Sequence, residues 1–307
     1  MTYQSGGQIQ ASDYNTFATL AGGINEIYAD LYPGATTLPN AAFGYGQNPA
    51  LTGVTTSGDI QAIQWASLFQ VMKDCGAHQG TTVVPPLPGS NPSSGDTIAA
   101  YNTPPDAISA LMVTLRNNRF NVAPAQSTLI PGTVYPSSSS WTTLLQYTYQ
   151  IDFSTWNNAR YFFNAGGFLG VNGSYPSAST PVEIAWKDAI DRMSTLRFTW
   201  NGTTPGSGSG GTSIGFYNLT TSYQTLYQKS LGAGYYTTSY ILVEAKLNAA
   251  AGTNGKVDFR INLVDGDLTP DLKTGAISFW TDNTKAAGVI LYPGPAVSVS
   301  AGTFTYS

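Results

Sequence analysis

Val257-Asp258-Phe259-Arg260-Ile261-Asn262-Leu263 alternates apolar and polar side chains without a break. Successive side chains of an extended strand point to opposite faces, so this segment can bury one face and must leave the other wet. That requirement calls for an antiparallel sheet with a core on one side. Extended runs of the same kind recur around it, at Leu144 to Phe153, Phe168 to Val171, Leu196 to Trp200, Ser213 to Asn218, Gln224 to Gln228, Tyr235 to Leu247, Ala276 to Trp280, Gly288 to Tyr292 and Ala296 to Tyr306. They predict a mainly antiparallel β-sandwich over residues 141–307, with roughly ten strands in Greek-key or jelly-roll-like order. One helix interrupts them: Val182, Ala185, Trp186, Ala189, Ile190 and Met193 repeat at helical steps across about residues 182–195. Within the same region, Trp156 to Tyr175 is dense in aromatic residues and reads as a hairpin. Tyr161, Phe162 and Phe163 are strand formers, Asn164-Ala165-Gly166-Gly167 tolerates positive φ, and Phe168 to Val171 resumes an extended run.

Residues 1–122 have a different character. Tyr14, Phe17, Leu20, Ile24, Ile27 and Leu31 recur at helical steps behind Ser12 or Asp13, which predicts one helix from Ala11 to Leu31 with Gly22-Gly23 weakening its middle. A second helix is predicted from Asp59 or Ile60 to Asp74, stopped by Gly76, and a third through Ile108, Leu111, Met112 and Leu115. The segments leading into them echo one another: Ser5-Gly6-Gly7-Gln8-Ile9-Gln10-Ala11, Ser57-Gly58-Asp59-Ile60-Gln61-Ala62 and Ser94-Gly95-Asp96-Thr97-Ile98-Ala99. Units this short suit a small helical assembly or docking region better than a solenoid. Pro85 to Pro92 forms a stiff spacer inside it, and the Pro- and Ser-rich residues 123–140 read as the linker to the sandwich. The fold class is α+β.

Charged residues make up 10% of the chain, while 19 Tyr, 13 Phe and 6 Trp rule against a disordered polymer. A surface of Tyr, Ser, Thr and Asn with few charges suggests that partners cover it, although extracellular β-proteins share this composition. A net charge of −4 with 13 Lys and Arg scattered along the chain leaves no basic stripe for phosphates, which disfavours nucleic acid. MTYQSGGQIQ has neither the basic nor the apolar part of a secretory signal, and no window reaches the roughly 18 apolar residues of a membrane span. Synthesis in, and assembly from, a cytosol without membrane insertion is the expectation.

Few side chains offer chemistry. Cys75, the single cysteine, reads as a small core residue. His78, the single histidine, lies just past a predicted helix end, where a cation would complement the last carbonyls. Glu183, Asp188 and Asp191, interspersed with Lys187 and Arg192, have the pattern of a solvated helix face. The best local pattern is Asp265-Gly266-Asp267-Leu268-Thr269-Pro270-Asp271, whose carboxylates alternate as in calcium loops, making Asp265, Asp267 and Asp271 the candidate metal ligands. A hairpin turn explains the same letters. No other cofactor is indicated, and no spacing places a catalytic carboxylate pair.

SGGQIQASDYNTF near the start, FGYGQNP, SGDIQAIQWASLF, AHQGT, GDTIAAY and ARYFFNAGG occur in that order, mainly within residues 1–167. This series resembles virion structural proteins of tailed bacteriophages, of the neck, tail-appendage or decoration type found in large contractile-tailed phages. In that family a more polar strand is expected after the Gly-Gly pair, where this chain has Phe168-Leu169-Gly170-Val171. The resemblance implies a noncatalytic virion subunit that forms a homo-oligomer and contacts other virion proteins. It supplies no active-site residues. The alternatives are a receptor- or glycan-binding fibre module that touches host-surface glycans, and a carbohydrate-active enzyme on a β-scaffold.

Overall fold

The alternation at Val257–Leu263 is realised as a central strand. A computed structural model describes residues 11–19, 23–28, 44–48, 51–55, 60–83, 108–207, 209–232 and 237–307. The leading segments of the three echoes at 5–10, 57–59 and 94–99, the Pro85 to Pro92 spacer and the start of the 235–247 run lie outside the described residues. The chain divides into two compact units, one of residues 1–128, 164–166 and 286–293, the other of residues 129–163, 167–285 and 294–307.

The first unit is helical, with α1 (Ala11–Ala18), α2 (Ile24–Tyr28), α3 (Ala62–Gln79) and α4 (Ile108–Asn117). Its core joins Tyr14, Phe17, Ile24, Ile27, Trp65, Leu68, Met72, Ile108, Met112 and Leu115, with Tyr14 edge-on to Trp65 at 5.7 Å. The helix expected over residues 11–31 is two helices, one on each side of the Gly22-Gly23 pair. Gly76 does not stop α3. A Cβ there would lie 2.0 Å from Val83 Cγ2 and 2.9 Å from the Thr81 carbonyl, so this glycine makes room for the returning chain. The stop is Gly80, at φ 72°, whose N–H turns back to the Ala77 carbonyl.

His78 therefore sits inside the last turn of α3, fully buried, and not beyond the helix as a cation. Its Nε2 lies 2.9 Å from the Ala165 carbonyl, which can only accept, so Nε2 carries a proton. The ring packs edge-on against Tyr45 at 5.2 Å, and Nδ1 has no hydrogen-bond partner among the described residues. Burial lowers its pKa from 6.5 to about 4, against a smaller opposing effect of the Ala165 bond. Cys75, one turn earlier, is buried and its thiol is pushed up to about 12 by that burial.

The remaining elements belong to the second unit, apart from a 3-10 turn at Pro124–Gln126, the first two residues of β1 and the last of α5 and β10. Two six-stranded antiparallel sheets are formed. One contains β1 (Ser127–Ile130), β2 (Tyr135–Pro136), β4 (Phe168–Ser174), β5 (Leu196–Phe198), β6 (Thr203–Thr204) and β10 (Ser278–Ala286), in the order β1-β10-β4-β5-β6 with β2 also on β10. The other contains β3 (Leu144–Asp152), β7 (Gln224–Ser230), β8 (Tyr240–Leu247), β9 (Lys256–Val264), β11 (Ser298–Val299) and β12 (Thr303–Tyr306), in the order β11-β3-β9-β8-β7 with β12 also on β3. In each sheet three successive strands are flanked by a strand distant in sequence, which is Greek-key order.

Inner faces meet through aromatic residues. Tyr147 of β3 stacks on Phe279 of β10 at 5.7 Å, Phe259 of β9 meets Phe198 of β5 edge-on at 5.5 Å, and the buried Thr281 hydroxyl donates to Tyr149 Oη at 2.8 Å. The stretch 123–140, expected as a linker, instead carries a 3-10 turn at Pro124–Gln126 and strands β1 and β2, both paired with β10. The run at Ser213 to Asn218 is a 3-10 turn at Phe216–Asn218, and that at Gly288 to Tyr292 contributes only an isolated bridge between Ala287 and Leu291.

The hairpin expected at Trp156 to Tyr175 is a helix followed by a strand, α5 (Trp156–Asn164) and β4. Thr155 caps the helix, its Oγ1 accepting from the Asn158 N–H at 3.2 Å. Gly166, at φ 85°, lies just past its other end. Between these signals the aromatic residues need burial on every side, which a helix on the sandwich supplies: Phe162 packs 5.1 Å from Phe153 and Phe163 stacks 4.7 Å from Phe216. α6 (Pro181–Met193) matches the helix expected near 182–195.

The buried neutral histidine makes the fold acid-sensitive in a defined window. Its pKa is depressed by folding, so its contribution is complete above about 6.5 and is lost as pH falls toward about 4. Urea titrations should show the wild type about 2 kcal/mol less stable at pH 5 than at pH 7.5 from this group, with the difference abolished in His78→Gln. An unchanged pH slope in the variant would refute the assignment.

Candidate functional site

One end of the sandwich is built around the segment that joins β9 to β10. Asp265 directly follows β9, and its N–H donates to the Thr143 carbonyl at 2.8 Å, just before β3. Its Oδ1 accepts from Ser239 Oγ at 2.9 Å and from the Asp267 N–H at 3.0 Å. Oδ2 forms an ion pair with Lys273 Nζ, and both side chains are almost fully buried, at 1% and 0% exposure. Lys273 also donates to the Thr142 carbonyl at 2.5 Å and lies 4.8 Å over the Trp141 ring. Trp141 in turn packs edge-on against Trp186 of α6 at 5.2 Å.

Glu183, in the first turn of α6, is the second anchor. Thr180 and Glu183 form a capping box behind Pro181. Glu183 Oε2 accepts from the Ser179 N–H, the Ser179 hydroxyl and the Thr180 N–H at 3.0, 3.1 and 3.0 Å. Its Oε1 accepts from the Thr274 N–H at 2.8 Å and the Thr274 hydroxyl at 2.9 Å. Tyr175 Oη donates to the Thr274 carbonyl. Burial alone would raise both carboxyls. For Glu183 the amides of Thr180, Ser179 and Thr274 outweigh it, and for Asp265 the Lys273 ammonium does so first, holding both below the ordinary carboxylate range.

The anchors hold a short loop whose tip is apolar. Leu268 is 101% exposed and Leu272 58%, with Asp271 exposed between them. Ile184, next to Glu183 on α6, is 46% exposed. The two exposed leucines thus sit on a loop tied at both ends within the second unit.

The calcium-loop expectation for Asp265, Asp267 and Asp271 is not met by this geometry. The Lys273 ammonium stands where a cation would neutralise Asp265, and Asp267 Oδ1 accepts from Thr238 Oγ1 at 3.2 Å. Among the described residues no group of three or more His, Cys, Asp or Glu could hold a metal ion. Glu183 departs from the solvated helix face expected of it, being buried as a cap, whereas Lys187 and Asp191 form an exposed ion pair at that face. The Thr180-Pro181-Val182-Glu183 spacing carried the signal of the cap. Trp141 had no sequence signal, since Lys273 and Trp186 are distant in the chain, and Lys273, eight residues from Asp265, had no spacing that marked it as a counter-ion.

Other charges lie on the outer face of the second sheet. Glu244 accepts from Arg260 Nε at 2.8 Å and from Asn262 Nδ2 at 2.9 Å, and Gln146 Nε2 donates to Asn262 Oδ1 at 2.8 Å. Tyr223 lies under Arg260 at 4.1 Å and near Lys246 at 4.9 Å. These cross-strand bonds occupy the charged groups of this face with one another. Among the described residues no helix is long and apolar enough to cross a membrane. No protein-family model, curated protein or solved structure matches the chain.

Replacing Lys273 by Met should leave the Asp265 carboxylate buried without its counter-ion and lower unfolding stability by about 3–5 kcal/mol, read as a shift of the urea midpoint at pH 7. Asp265→Asn with Lys273→Met, which removes both charges, should recover part of that loss. Equal destabilisation in the single and double variants would show that the ion pair is not the anchor.

Proposed function

We infer that the chain is a noncatalytic structural subunit of a tailed-phage virion that forms a homo-oligomer and contacts neighbouring virion proteins. The resemblance of its short motifs to such proteins supports the virion setting. One structural observation carries the assembly role: fully exposed Leu268 and exposed Leu272 stand on a loop fixed by a buried ion pair and a five-fold acceptor carboxylate. A rigid apolar tip gains about 1.5–3 kcal/mol per leucine when a neighbour covers it, without a further cost of ordering the loop. The titratable side chains around it hold backbone in place, which suits a scaffold. Low overall charge removes the long-range repulsion that would keep copies apart.

The absolute mass in solution tests this reading. Light scattering coupled to size exclusion should report a stable multimer of the chain at low and moderate salt, and a monomer at every concentration would overturn it. Changing Leu268 and Leu272 together to Ser should leave unfolding stability within about 0.5 kcal/mol while reducing incorporation of the protein into particles.

A further inference from the structure

The two sides of the sandwich differ in how their strand edges are finished. On one side the edge strands β6 and β7 are joined by intervening chain: Thr203 bridges to Thr212 and Gly211 to Tyr227. On the other side, β1 is followed directly by Pro131 and β2 contains Pro136, residues that remove a donor and blunt an edge. β12 has no such guard. Thr303-Phe304-Thr305-Tyr306 carries no charge and no proline, and among the described residues β3 is the only strand it pairs with.

The register states which groups this edge offers. Ser307 and Leu144 exchange both main-chain bonds, at 3.0 and 3.2 Å. Pairs along an antiparallel ladder alternate, so Thr305 and Thr303 bond to Gln146 and Thr148, while the N–H and C=O groups of Phe304 and Tyr306 point away from β3. Their side chains are half-buried. Phe304 lies 4.6 Å from Tyr147 and stacks at 6.2 Å on Tyr306, whereas Thr303 and Thr305 are exposed on the opposite face.

We propose that β12 pairs antiparallel with β12 of a second copy across a two-fold axis at Thr305, joining the two β3-containing sheets into one. In this register Phe304 faces Tyr306 of the partner subunit, and each pair exchanges main-chain bonds, giving about four hydrogen bonds in all. The contact is self-complementary, as a two-fold requires. Phe304 and Tyr306 form cross-strand aromatic pairs that extend the row begun by Tyr147, and the threonines remain on the wet face. A second copy is favoured over an unrelated strand because the alternation places like residue classes on the same face in both chains, and no charge opposes itself at the axis. The proposal rests on the homo-oligomer reading above and adds to the Leu268–Leu272 loop a second surface for it.

Cross-linking tests the axis. Thr305 faces Thr305 of the partner subunit at a non-hydrogen-bonded position, where Cα atoms lie about 4.5 Å apart, within disulfide reach. Thr305→Cys should convert most of the chain, under mild oxidation, to a dimer reversed by reductant. Thr303→Cys, which meets no cysteine across the axis, and the wild type with only buried Cys75 should not. Thr305→Lys, which sets like charges opposite one another, should weaken self-association measured by light scattering about fivefold while leaving the fold intact. A wild-type multimer whose Thr305→Cys variant cross-links no better than Thr303→Cys would overturn the edge contact and leave the homo-oligomer reading standing. A wild-type monomer with no cross-linking of Thr305→Cys would overturn both.

Discussion

The buried Asp265–Lys273 pair is the interaction on which one end of the sandwich depends. It lies where β9 ends, and its bonds reach Thr142 and Thr143 before β3 and Ser239 before β8. A single ammonium and a single carboxylate thus fix the relative positions of three strand ends. Removing two charges from water is costly, and mutual attraction offsets that only when the remaining hydrogen-bonding capacity is filled. Here Ser239, the Asp267 amide, the Thr142 carbonyl and the Trp141 ring fill it. Strict geometry is the result, and the loop beyond the pair inherits it.

That rigidity changes the meaning of the exposed leucines. Scattered apolar residues on a surface are ordinary. Leu268 and Leu272 are different because both ends of their loop are tied, by Lys273 and by Glu183, so the chain cannot fold the tip away from water. An apolar group held in water without freedom to retreat gains from contact with a neighbour. The same economy of charge operates at the β12 edge, where nothing repels an incoming strand. Both features follow from a composition in which charges are few.

The helical unit obeys a different constraint. Its single histidine and single cysteine are both in the interior of one helix, where apolar surroundings oppose charge on either. Burial favours the neutral form of both. Tyr45, against the His78 ring and bonded through its hydroxyl to Gln79 at 2.9 Å, completes the packing.

Periodicity made much of the second unit legible. The strict alternation of Lys256–Val264, the run at Leu144–Asp152 and the helical spacing of Pro181–Met193 each became the element expected, because each has one face that must be buried and one that must be wet. Where a segment is buried all round, that logic gives no direction. Ala159 to Asn164, buried at every position, carries strand-forming Tyr161, Phe162 and Phe163, yet it is helical because Thr155 and Gly166 bound the helix and aromatic neighbours from elsewhere surround it. Gly76 illustrates the same limit from the other side, since it is a glycine for the sake of Val83 and not for a turn. Carboxylate spacing suggested a calcium loop at Asp265, but the cation supplied there is Lys273, and Glu183 reaches Thr274 across 91 residues of chain. Local pattern follows from the chain's own covalent geometry and its need to bury one face. Strand pairing, burial of charge and the partners of a buried side chain arise from groups distant in sequence, and they exist only once the chain has folded.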